Sequence, residues 1–72
     1  MQNYLNLGGN SNVEAFEIGP TYISIKFYGT NKIYTYSYNS AGRSNVEMAK
    51  SLARRGSGLN SFIMRHMRFS YE

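Results

Sequence analysis

The clearest pattern in the chain runs from Thr21 to Tyr28 (TYISIKFY), where Ile23, Ile25 and Phe27 alternate with Tyr22, Ser24, Lys26 and Tyr28. A period of two marks a strand with one buried face. Ile33 to Tyr38 (IYTYSY) alternates again, and the intervening Gly29-Thr30-Asn31-Lys32 predicts a β-hairpin. With Thr30 and Asn31 as the central turn residues, Phe27 faces Tyr34, Ile25 faces Tyr36 and Ile23 faces Tyr38. The tyrosines then share the aliphatic face. Ser24, Lys26, Thr35 and Ser37 make the opposite, polar face, with Tyr22, Tyr28 and Ile33 as its larger members. Ahead of the hairpin, Val13, Phe16 and Ile18 suggest a first strand. Gly19-Pro20 ends it, because proline has no N–H to give to a sheet ladder. Residues 1–12 (MQNYLNLGGNSN) show no period, and their glycines and asparagines read as a flexible N-terminal arm over 1–11.

After Asn39 to Arg43 the period lengthens to about 3.6. Ser44 and Glu47 have the spacing of a capping box, which predicts a helix over 45–55 ended by Gly56. Val46, Ala49, Leu52 and Ala53 form its apolar stripe, with Lys50 and Arg54 opposite. Leu59, Phe62, Ile63, His66 and Met67 repeat at helical spacing and predict a second helix over 60–67, capped by Asn60 or Ser61. Phe69 and Tyr71 read as an extended tail docking on the sheet. The expected fold class is α+β: a three-stranded antiparallel meander over 12–38, followed by two short helices packed on one sheet face. The expected core is Phe16, Ile23, Ile25, Phe27, Tyr36, Val46, Leu52, Phe62 and Ile63.

Composition narrows this picture in three ways. Seventy-two residues make one domain, placed here over 12–72. The absence of cysteine leaves packing alone to hold it, without disulfides or thiolate zinc. No apolar run approaches the roughly 18 residues of a membrane span, so the expectation is a soluble, cytoplasmic protein with no membrane partner.

Charge changes the picture more. Residues 1–38 balance Lys26 and Lys32 against Glu14 and Glu17, so the net charge of +4 resides in residues 39–72. There Arg43, Lys50, Arg54, Arg55, Arg65 and Arg68 face only Glu47 and Glu72. Arginine's planar fork suits phosphate and stacks on bases, so a basic C-terminal half suggests an anionic partner. A charge of this size also serves solubility alone.

Arg54-Arg55-Gly56-Ser57-Gly58 places two guanidiniums before a turn that opens a helix, where unpaired N–H groups favour phosphate. The plainer alternative is a helix C-cap and a turn. Tyr34, Tyr36 and Tyr38 are either a stacking platform or, as the register favours, core residues. Tyr22 and Tyr28, on the polar face, are then the better stacking candidates. His66 has Leu59, Phe62 and Ile63 for company, which suits a histidine at the core edge better than a catalytic one. Glu14 and Glu17 point to opposite strand faces and do not form an acid–base pair. Nothing supports an enzyme, a cofactor or a metal site.

Ser11-Asn12-Val13, the I-x-I-x-F strand from Ile23 to Phe27, Tyr34-x-Tyr36, a following helix and Gly58-Leu59-Asn60-x-x-Ile63 together resemble the KTSC family. This small domain occurs alone and at the C-terminus of some lysyl-tRNA synthetases. The likeness covers about residues 11–72, although Asn39-Ser40-Ala41-Gly42 replaces the proline-containing turn common after the Tyr-x-Tyr. It implies a sheet-plus-helix domain of uncharacterised function associated with RNA. Two functions follow. The first is a small domain binding RNA or single-stranded nucleic acid, with Lys50, Arg54, Arg55, Arg65 and Arg68 on phosphate and Tyr22 or Tyr28 on bases. The alternative is a protein-interaction module that pairs an exposed sheet edge or face with a partner or with itself as a homodimer.

Overall fold

The computed structural model describes residues 1–72. Four antiparallel strands pair in chain order: β1 (Gln2–Asn3), β2 (Val13–Ile18), β3 (Tyr22–Phe27) and β4 (Ile33–Ser37). They are followed by α1 (Tyr38–Ala41), α2 (Arg43–Arg55) and α3 (Leu59–His66). The α+β class stands, with one strand and one helical turn more than the sequence pattern predicts. No helix is long and apolar enough to cross a membrane.

The central hairpin pairs Ile25 with Tyr34 and Ile23 with Tyr36, two residues away from the expected register. Because side chains alternate with a period of two, a slip of two leaves each on its own face. Tyr34 and Tyr36 therefore do join Ile23 and Ile25 on the core side. What changes is the loop: residues 28–32 link the strands in place of a two-residue turn, with Gly29 at φ 85° and the Lys32 N–H donating to Thr30 Oγ1 (3.1 Å). Tyr38, expected in the strand opposite Ile23, instead opens α1. In β2, a register shift between Val13 and Ala15 lets Val13 and Phe16, three residues apart, both be buried. That bulge breaks the alternation a sequence reader would look for.

The stretch 1–11 does not lie ahead of the fold; it completes the sheet. Gln2 pairs with Phe16 and Asn3 with Ala15, and the Tyr4 N–H donates to the Glu14 carbonyl (3.0 Å). Tyr4 is only 5% exposed and meets Phe16 edge-on at 6.5 Å between ring centroids. Its hydroxyl accepts the Leu59 N–H at 3.3 Å, which ties the start of the chain to the start of α3. The Leu7 N–H reaches the Gly56 carbonyl at 2.7 Å.

Helix boundaries are set by backbone that only glycine adopts readily. Ser37 and Ser40 form a capping box for α1, and Gly42 at φ 90° separates α1 from α2. Ser44 and Glu47, expected as the cap, therefore lie inside α2. Gly56 ends α2 at φ 81°, its N–H on the Leu52 carbonyl. A Cβ there would come within 2.7 Å of Leu5 Cβ, so the arm and the cap fit only with glycine. Gly58, and not Asn60 or Ser61, is the N-cap of α3.

The helices cover the face that carries Phe16, Ile23, Ile25 and Tyr36, adding Val46, Ala49 and Ala53 from α2, Leu59 and Ile63 from α3, and Met67 just beyond it. Phe27, Leu52 and Phe62, expected at the centre, are half-buried around this core.

Candidate nucleic-acid interface

The basic residues do not form one surface. Asn45, near the start of α2, donates to the His66 carbonyl at the end of α3 (3.4 Å), so the two helices run antiparallel. Arg54 and Arg55 sit at the turn, whereas Arg65 and Arg68 sit at the far end of α3, about 12 Å along the helix axis. All four are exposed. At the turn, Arg55 Nε is held by Ser57 Oγ (3.1 Å) and Gly56 acts as the helix cap. The hollow at the start of α3, about 180 Å³, is lined by residues such as Asn6, Ser57 and Ser61, and by neither arginine. The pair thus flanks the phosphate position proposed from the sequence without facing it.

Lys50 is withdrawn from solvent. It is 4% exposed, donating to the Pro20 carbonyl (3.1 Å) and pairing with Glu47 (2.9 Å). The Tyr38 hydroxyl at 2.6 Å, and then Lys50, hold the Glu47 carboxyl below its usual range. A lysine spent on fastening α2 to the β2–β3 turn does not reach for phosphate. Tyr22 is similarly engaged. Its ring lies over Gly19, where a Cβ would fall 2.0 Å from Tyr22 Cε1, and its hydroxyl donates to Glu17 (3.3 Å). The rest of the polar sheet face is paired internally: Lys26 with Glu14 (2.6 Å) and Ser24 with Thr35 (2.8 Å).

Tyr28 and Arg68, by contrast, come together. Both line a cavity of about 430 Å³ between the β3–β4 loop, α3 and the C-terminal segment. Its aromatic wall includes Tyr28, Tyr34, Tyr36 and Tyr71, and Asn12, Asn60 and Arg68 are among its polar members. The C-terminal segment builds one side, docking on β4 as the sequence suggests. The Glu72 N–H donates to the Thr35 carbonyl (2.8 Å), and the Tyr71 ring stands edge-on to Tyr34 (4.9 Å) and Tyr36 (6.1 Å). Phe69 is 79% exposed at the mouth. Lys32 Nζ lies over the rings of Tyr34 (5.1 Å) and Tyr71 (5.8 Å), a cation–π arrangement that adds positive charge at the rim.

Tyr36 lies deepest, at 1% exposed. Burial, and then the neighbouring phenols of Tyr34 and Tyr71, push its hydroxyl up to about 12, so it is a neutral donor at physiological pH. Searches against protein-family models, curated proteins and solved structures returned no match for the chain.

His66, expected at the core edge, is instead exposed, its ring tilted against Phe62 at 4.7 Å; Met67, outside the expected core, is the neighbour that is buried. No group of three or more His, Cys, Asp or Glu side chains gathers where a metal ion would sit. Sequence reasoning weighed Tyr34 and Tyr36 as a stacking platform and assigned them to the core, and it missed Tyr71 as a site residue. The available signal was the apolar spacing of Phe69 and Tyr71, which marked the tail as something that docks.

Proposed function

We propose that the chain is a small nucleic-acid-binding domain for RNA or single-stranded DNA. The observation that supports this most is the meeting of Tyr28 and Arg68 at one aromatic cavity with Lys32 over its wall. Aromatic faces accept bases of any sequence, and nearby cations follow the phosphates, which is the chemistry of single-strand binding. Arg65, exposed on the last turn of α3, extends the charge beside Arg68. Arg54 and Arg55 offer a separate contact for a longer strand. The KTSC likeness adds an association with RNA, which is an argument by analogy.

Replacing Arg65 and Arg68 together by alanine is expected to weaken single-strand binding and lower the slope of log K against log salt by about 1.4, at roughly 0.7 per phosphate contact. Fluorescence anisotropy at several salt concentrations measures this. An unchanged affinity and slope would remove these residues from the interface. The Arg54→Ala/Arg55→Ala variant is expected to affect long strands more than short ones.

The second reading, a protein-interaction module, draws on the outer edge of β4. Ile33 is 45% exposed there, and Glu72 covers the position of Thr35. A concentration-dependent dimer in sedimentation, with no affinity for nucleic acid, favours it.

A further inference from the structure

The geometry points to the aromatic cavity as a pocket for a single unstacked nucleobase, held by the Tyr36 hydroxyl at its floor with the attached phosphate at Arg68. This inference rests on the nucleic-acid reading and names what the site recognises.

Four observations carry it. First, the Tyr36 hydroxyl makes no hydrogen bond to another protein group, although the residue is 1% exposed. No fully enclosed side-chain oxygen or nitrogen in the chain lacks a partner, so this oxygen opens onto the cavity that Tyr36 lines. Open to the cavity and without a protein partner, the hydroxyl is free to bond a ligand atom that enters there. Second, the polar set matches a base edge. A base presents both donors and acceptors, and the cavity offers a neutral phenol together with the amides of Asn12 and Asn60, each able to give and to take.

Third, the cavity of about 430 Å³ stands at the small end of the roughly 300–1,000 Å³ that bound small molecules occupy, so it holds one nucleotide and not a stack. Fourth, its charge is one-sided. Arg68 lines it and Lys32 covers two of its rings, while no carboxylate side chain lines it. A lone inorganic anion leaves the aromatic walls unused. An acyl chain leaves the Tyr36 hydroxyl and two amides without partners, at a desolvation cost that apolar contact does not offset. A planar, polar-edged ring carrying a phosphate satisfies all of them.

The test compares labelled eight-nucleotide strands of adenosine or uridine, in ribose and deoxyribose forms, with a strand of the same length made only of abasic nucleotides. The base-containing strands are expected to bind about tenfold or more tightly than the abasic one, as stacking of one base on aromatic side chains implies. Tyr36→Phe is expected to lose about fivefold against the base-containing strands and nothing against the abasic strand. Met64→Trp, at an exposed position on the cavity edge, is expected to block entry and lower all base-containing strands to the abasic level, which guards against a folding defect in the Tyr36 variant. A preference for ribose over deoxyribose assigns RNA, and equal binding assigns single strands of either kind, both with the pocket intact. Equal affinity for abasic and base-containing strands overturns the base pocket while leaving the nucleic-acid reading in place. Binding of no strand at all overturns both.

Discussion

Tyr4→Ala is expected to destabilise the fold by about 3–5 kcal/mol, as large-to-small replacements of buried aromatic residues do. Tyr4 is 5% exposed, packs on Phe16, and provides the acceptor for the Leu59 N–H, which the substitution leaves unpaired at the first residue of α3. A domain of this size has a total stability on the order of 4–11 kcal/mol, so the variant is expected to be largely unfolded well below the melting point of the parent chain. Tyr4→Phe keeps the ring and loses only the acceptor, for about 1 kcal/mol. Urea denaturation of the three proteins measures both values. A Tyr4→Ala variant within about 0.5 kcal/mol of the parent, the range of ordinary surface substitutions, would show that the N-terminal strand and its tyrosine are not part of the cooperative core.

The second large effect is a loss of stability at alkaline pH that belongs to Tyr36. Its hydroxyl titrates near 10.0 in the unfolded chain and at about 12 in the folded one. The folded state therefore holds this proton more tightly, and the associated stability is fully present below pH 10 and is lost as the pH rises through 12. Two units correspond to about 2–3 kcal/mol. Because the chain carries six other tyrosines, the contrast that isolates the effect is the parent against Tyr36→Phe, in urea midpoints at pH 9 and pH 12. The parent is expected to lose about 2–3 kcal/mol more than the variant over that interval. Equal losses in the two proteins would mean that Tyr36 is not desolvated at the cavity floor.

Local periodicity made β3, β4 and the two main helices legible in the sequence. The period of two made the face assignment of the tyrosines robust even though the register itself was off by two. What periodicity does not carry is contact between distant parts of the chain. Tyr4 stands among asparagines and glycines in a strand region of two residues, and the partner of its hydroxyl is 55 residues away. The Val13–Ala15 bulge and the glycine caps at Gly42 and Gly58 depend on backbone conformations that compete with side-chain signals such as Ser44-x-x-Glu47.

The site was legible in parts. Tyr28 and Arg68 were marked by their chemistry, but 40 positions separate them, and only the docking of the tail on β4 joins them in one cavity. Lys50 looks available on a helical wheel, yet it is 4% exposed and its ammonium meets the Pro20 carbonyl. Charge counting also merged Arg54 and Arg55 with Arg65 and Arg68, which the antiparallel helices hold apart.

The measurement that bears most directly on the account is an amide NMR titration of the labelled protein with short single-stranded RNA at low and near-physiological salt. Shifts are expected to concentrate on Asn12, Tyr28, Asn60, Met64 and Arg68 around the cavity and to weaken steeply as salt rises. Shifts confined to the outer edge of β4 around Ile33, or the absence of any shift at low salt, would contradict it.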